Sequence, residues 1–194
     1  AGHTAAELSI RETVDGSVTS TSYVNPDGVI TDAIDVGYAT VCKMRDNDGR
    51  VVEERYLDAN GDPVARYGDY YGLSYEYDGT GTVITYLDAE GNPIIRSGGY
   101  STIVRTLVGG MASDDFYYDL NGQPVQCSGG YYGIHCEYNA EGQSTSLTFL
   151  DEDGHAVCIS SGYAIKTYQR DGNGTVVGEQ YFDTEGNPAR SSLG

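Results

Sequence analysis

Asp-rich turns, four cysteines, three histidines and 18 tyrosines are the residues of this chain that could do chemistry. The acids come first. "DNDG" (46–49), "DEDG" (151–154) and "DGNG" (171–174) look like fragments of calcium loops. A calcium ion takes about six to eight oxygens, so a neighbouring turn or a distal bidentate Glu would have to complete each site. No complete loop of about twelve residues is present, and turn formation alone accounts for these residue types. The default expectation at these turns is therefore no cofactor, with calcium the alternative.

The cysteines are Cys42, Cys127, Cys136 and Cys158. Cys127 and Cys158 lie 31 residues apart, just after equivalent Pro-Val and Ala-Val pairs, which makes them the candidate disulfide. Cys136 is a rival partner for either, and Cys42 reads as a free, packed thiol. A zinc reading would draw on Cys127, His135 or Cys136, His155 and Cys158, but the segment lacks paired C-x-x-C knuckles. No G-x-S-x-G elbow, phosphate loop or H-E-x-x-H occurs. A glycosidase would need two carboxyl groups about 5–10 Å apart in a cleft. Acids at the tips of repeated turns do not make one, so no enzyme is expected.

The tyrosines remain as ligand-binding candidates. "YYG" occurs in matching positions as Tyr70-Tyr71-Gly72 and Tyr131-Tyr132-Gly133. Adjacent strand residues face opposite ways, so one ring of each pair should pack inward and the other should meet solvent. The Gly after it would leave room for a flat ligand such as a sugar. Tyr38, Tyr100 and Tyr163 occupy the position of Tyr70 and Tyr131 and complete the candidate set. The plainer reading is that all these rings cover neighbouring hairpins.

What positions these residues is a repeat. "YLDANGDPV" (56–64) recurs as "YLDAEGNPI" (86–94), "YYDLNGQPV" (117–125), "FLDEDGHAV" (149–157) and "YFDTEGNPA" (181–189). A degenerate copy, "YVNPDGVIT" (23–31), precedes them, and the leading aromatics are spaced 33, 30, 31, 32 and 32 apart. Such a period marks a solenoid or array. Each unit opens on Gly-Tyr or Asp-Tyr, runs six or seven strand residues to a D-x-x-G-like turn, and returns on a second strand ending in aromatic-Leu/Phe-Asp. Asp at the first turn position should accept hydrogen bonds from N–H groups two or three residues on. Gly at the fourth supplies φ > 0 for a type I turn with a G1 bulge. The following Pro belongs at a strand start or edge.

The expected fold is all-β: a solenoid of about five to six stacked β-hairpin repeats of 30–33 residues. Residues 1–36 form a partial repeat or cap, with at most a turn or two of helix near Thr4–Leu8. The array covers 37–194, in units 37–67, 68–97, 98–128, 129–160 and 161–194. Two columns of rings should run through it, one of strand-end aromatics and one of Gly-Tyr rings. The excess of Tyr over Phe, 18 to 3, implies hydroxyls at water. The return strand "TVITYLD" reads shorter than "RVVEERYLD", and "LVGGMASDD" replaces D-x-x-G, so register shifts are expected at both.

Composition narrows the partners. Lys plus Arg number 11 against 29 Asp plus Glu, a formal net charge of −18. That field disfavours nucleic acid and anionic membrane. No apolar run approaches the roughly 20 residues of a membrane span. "AGHTAAELSI" lacks a charged-then-apolar leader and reads as a mature or excised start.

The ends "YFDTEG" and "YYDLNG" resemble the β-hairpin repeats of bacterial cell-wall-binding modules, the class that includes choline-binding repeats and clostridial toxin repeats. Tyr-Asp-x-x-Gly-x-Pro arrays of secreted Firmicutes proteins are similar. The resemblance covers most of the chain from about residue 37. It implies a non-catalytic binding module of a secreted or cell-surface bacterial protein, contacting cell-wall or host glycan, or a surface protein, through a Tyr-rich face. Choline cages of that class use Trp, and this chain has none. The other reading is a structural spacer or adhesin stalk with no small-molecule ligand. Homo-oligomers through exposed terminal hairpins fit either reading.

Overall fold

The computed structural model describes residues 2–191. The protein is all-β: twelve antiparallel strands whose order in an open sheet is their order in the chain. The strands are β1 (Ser9–Asp15), β2 (Val18–Val24), β3 (Thr40–Arg45), β4 (Val51–Leu57), β5 (Gly72–Tyr77), β6 (Gly81–Leu87), β7 (Thr102–Val108), β8 (Met111–Tyr118), β9 (Gly133–Tyr138), β10 (Ser144–Leu150), β11 (Ile165–Arg170) and β12 (Val176–Phe182). One turn of 3-10 helix, Ala5–Glu7, precedes them, and the Thr4 and Glu7 side chains close it in a capping box. The chain divides into two compact units: residues up to Glu76 with Val83–Arg96, and Tyr77–Thr82 with the residues from Ser97 on.

Turn chemistry sets the hairpins. In the turn after β4, Asp58 Oδ1 accepts the N–H groups of Asn60 (2.8 Å) and Asp62 (2.9 Å). The Asp58 N–H donates to the Asp62 carbonyl, and Gly61, at φ 88°, donates to the Asp58 carbonyl. Asp46, Asp119, Asp151, Asp171 and Asp183 repeat this pattern, as do Asn25 and Asn139. The side chain thus reaches two and four residues on, one further than expected, because the bulge leaves the fifth N–H pointing back at it. Asp78 alone reaches two and three on, to Thr80 and Gly81. After the turn, Pro63, Pro93, Pro124 and Pro188 each form a single bridge to the preceding strand end. A proline fits there because the next residue makes the ladder bond: Val64 N–H to the Tyr56 carbonyl is 3.0 Å.

Register departs from expectation in one place and follows it in the other. β4 and β6 are both seven residues long, because Gly81 opens β6, so "TVITYLD" is not a shortened strand. At "LVGG" the turn does change. Gly109 and Gly110, at φ 60° and 84°, make a two-residue connection that pairs Val108 with Met111. Two residues at φ > 0 are what a type I′ turn requires. The extra residue then falls inside β8: Thr106 pairs with Asp114 and Leu107 with Ala112, leaving Ser113 as a bulge.

One other connection is strained. Asp69 stands where other units have the Gly of Gly-Tyr. The chain turns instead through Tyr67 and Gly68, at φ 52° and 71°. Tyr67 is 65% exposed, so little packing offsets its left-handed backbone.

Two outcomes follow. Tyr67→Gly should raise stability by about 0.5–1 kcal/mol, since strain of about 1–2 kcal/mol outweighs the added chain entropy. Urea midpoints check this, and a lower midpoint would mean that the ring's contact with Arg66 matters more. The second concerns pH. N–H groups of Gln123 and then Asn121 hold the Asp119 carboxyl below its usual value. A depressed folded pKa stabilises above the unfolded value, about 3.9, and that stabilisation is lost as pH falls through the folded one. The gap between wild type and Asp119→Ala in urea should therefore be present at pH 7 and shrink toward pH 2.

Candidate functional site

The aromatic residues form one ring sequence within each unit, not two parallel columns. In the first unit Tyr23, Tyr38, Tyr56, Tyr70 and Tyr86 touch in that order, with centroid distances of 5.9, 5.1, 5.9 and 4.9 Å. In the second, Tyr100, Tyr117, Tyr131, Phe149, Tyr163 and Tyr181 touch at 4.5, 5.8, 4.7, 5.8 and 4.5 Å. Gly-Tyr rings thus alternate with strand-end rings. The reason is strand order. Each Gly-Tyr or Asp-Tyr ring enters beside the end of the strand before it, so it falls between two strand-end rings instead of above its own kind.

The hydroxyls are not all at water. Tyr56 is 1% exposed. Its hydroxyl donates to Glu54 Oε2 (3.0 Å) and accepts from Arg66 Nη1 (3.3 Å). The Arg66 guanidinium lies 5.7 and 5.3 Å from the Tyr38 and Tyr56 centroids. Thirty residues on, Arg96 repeats the arrangement over Tyr70 and Tyr86, donates to the Tyr86 hydroxyl at 3.2 Å, and pairs with Asp69 at 3.0 Å. In the second unit that sequence position holds Cys127, Ile159 and Ser191. Burial pushes the Tyr38 hydroxyl up to about 12, and burial raises Tyr56 and Tyr117 further. These phenols stay neutral at any ordinary pH. As neutral phenols they donate hydrogen bonds and stack.

Five of the seven candidate rings, Tyr38, Tyr70, Tyr100, Tyr131 and Tyr163, are therefore members of the packed sequence, each half-buried. Tyr71 and Tyr132 lie outside it and are also half-buried. The glycines after them do not leave open space. A Cβ at Gly72 would strike the Glu54 carbonyl and come 2.9 Å from Arg55 Cδ. At Gly133 it would meet the Asp115 carbonyl at 2.7 Å and the Phe116 ring at 2.9 Å. The Tyr-Tyr-Gly triplet exists because the preceding strand crosses the glycine closely.

Tyr71 nonetheless borders a notch of about 190 Å³, lined also by Arg55, Tyr56, Leu57, Pro63 and Ala89. Arg55 Nε donates to Glu53 (2.8 Å) and Nη1 to the Asp88 carbonyl (3.0 Å), which fixes the guanidinium at the rim. An aromatic and apolar wall beside a fixed polar group is what a small planar-faced ligand needs.

Sequence reasoning missed a second cluster. The bulge at Ser113 brings its hydroxyl to Asp114 Oδ2 (2.8 Å), and Asp114 Oδ1 meets Nδ1 of its cross-strand partner His135 (2.8 Å). Ser113 and His135 help line a cavity of about 230 Å³ with Met111, Cys136 and Tyr138. The serine is bonded to the carboxylate and not to the imidazole, which reverses the order a Ser-His-Asp relay requires. The "GG" turn marks a changed connection in the sequence, but not the bulge in β8 that brings these side chains together.

The four cysteines are unpaired in the structure, Cys127 buried and Cys158 exposed. Burial raises the Cys136 thiol above its ordinary value. Among the described residues, the zinc set of Cys127, His135, Cys136, His155 and Cys158 does not converge. The calcium fragments keep their Oδ1 atoms on backbone N–H groups.

No protein-family model matches this chain, and a search of curated proteins finds no match.

Proposed function

We propose that the chain is a non-catalytic module of a secreted or cell-surface bacterial protein, built as an array of stacked β-hairpin repeats, which contacts glycan at the notch beside Tyr71. The array reading is supported by the period of 30–33 residues and by the ring contacts that alternate between hairpin starts and hairpin ends. The notch carries the binding reading. It offers a Tyr ring, Pro63 and Leu57 as an apolar wall, with the Arg55 guanidinium beside them. Its volume suits a single sugar ring. Affinity would be weak at one notch, and attachment to a wall would work through many copies.

A second reading has its own observation. The rings of both units are largely spent on one another, and the faces of Gly72 and Gly133 are closed. A spacer or adhesin stalk needs only that packing and a solvated acidic surface.

Pull-down on bacterial cell wall and a glycan array separate the two. Saturable binding that drops about tenfold or more in Tyr71→Ala, with the melting curve little changed, supports the notch. No saturable binding by wild type leaves the spacer. Binding that survives Tyr71→Ala and is lost in Tyr132→Ala would move the contact away from the notch.

A further inference from the structure

Two turns, one joining β3 to β4 and one following β10, carry the same pair of acids at their first and third positions. At 46–50 they are Asp46 and Asp48; at 151–155 they are Asp151 and Asp153. Both turns have the same backbone form, with Oδ1 of the first Asp receiving the third and fifth N–H groups. They differ in the fifth residue. In the first turn it is Arg50, whose Nη2 lies 2.8 Å from Asp46 Oδ2 and 3.1 Å from Asp48 Oδ2, while Nε lies 2.8 Å from Asp46 Oδ2. A guanidinium therefore holds the place of a cation between the two carboxylates.

In the second turn the fifth residue is His155. Its Nδ1 is 3.8 Å from Asp151 Oδ1, outside hydrogen-bond range, and its side chain is 79% exposed. One donor atom from each of Asp151, Asp153 and His155 lies within 4.8 Å of the other two. Among the described residues no other set of three such side chains converges this way. The other turns with two acids lack an imidazole. The fifth residue is Asp62 after Asp58, Asn92 after Asp88 and Glu90, and Asn187 after Asp183 and Glu185.

We propose that Asp151, Asp153 and His155 form a surface site for a divalent late transition-metal ion such as zinc, in the position that the Arg50 guanidinium takes in the equivalent turn. Metal–ligand bonds of about 2.0–2.2 Å place donors about 3–4 Å apart. Small rotations of exposed side chains close the observed spacing to that range. Two carboxylates with one imidazole suit zinc, nickel or copper, whereas calcium demands more oxygens than one turn provides. Solvent supplies the remaining ligands. The imidazole, and not the acids, makes this turn differ from its neighbours.

Calorimetric titration of the whole chain with zinc chloride tests the site. Wild type should bind one zinc here. His155→Arg, which copies the Arg50 bridge, should weaken that site by about tenfold or more with the melting temperature unchanged, and Asp153→Asn should weaken it in the same direction. Arg50→His should add a second equivalent at the first turn. Zinc binding unaltered in His155→Arg would overturn the proposal, as would wild type that fails to bind. No gain in Arg50→His would overturn the equivalence of the two turns on which it rests.

Discussion

Tyr56 is almost wholly buried, although it sits one residue from the end of β4. What buries it is other rings. Tyr38 and Tyr70 press on either side of it, and Arg66 lies across Tyr38 and Tyr56 together. Tyr117 is held in the same way between Tyr100 and Tyr131. A two-stranded hairpin is marginal alone in water. Here each hairpin contributes one ring at its start and one at its end, which meet each other, and within each unit the ring at a hairpin's end also meets the ring that starts the next hairpin. Ring contact is thus the constraint that makes each hairpin depend on its sequence neighbours.

That constraint decides what the tyrosines are free to do. Tyr38, Tyr70, Tyr131 and Tyr163 each meet two other rings, tilted or edge-on, so packing takes up part of each ring's surface. Chemistry is left to residues that the ring sequence does not need: Tyr71 beside Arg55, the Ser113–Asp114–His135 chain, and the turns. The turns combine two uses in one motif. Asp at the first position has one oxygen that closes the turn and a second that faces outward. In the Asp46 turn the fifth residue, Arg50, meets that second oxygen, whereas in the Asp151 turn His155 lies 3.8 Å from the turn-closing Oδ1.

The strands, turns and bridging prolines were legible because each is set by local chemistry: Asp and Gly at fixed offsets, alternation between them, and Pro where no donor is needed. The single interleaved ring sequence was not legible from counting Tyr. It depends on how Tyr38 or Tyr70 enters beside the preceding strand end, which is a matter of pairing across units of sequence. The role of Gly72 was misread for the same reason: its neighbour, Arg55, comes from another strand. One signal was present and would have helped. The residue after the Gly-Tyr ring runs Ala39, Tyr71, Ser101, Tyr132, Ala164, small and large in alternation. The three small ones are buried and the two tyrosines are half-buried, so alternate hairpins present different surfaces. The Asp114–His135 pair lay beyond reading, since it follows from a bulge displaced by the Gly109–Gly110 turn.

Ring packing as the spine is tested most directly by a double-mutant cycle on Tyr100 and Tyr117, which stack at 4.5 Å with an interplanar angle of 25°. Urea unfolding of wild type, Tyr100→Leu, Tyr117→Leu and the double variant gives their coupling. A favourable coupling of about 0.5–1.5 kcal/mol is expected, against near zero for Tyr100 with Tyr181, whose rings do not touch. A Tyr100–Tyr117 coupling indistinguishable from that of the distant pair would contradict it.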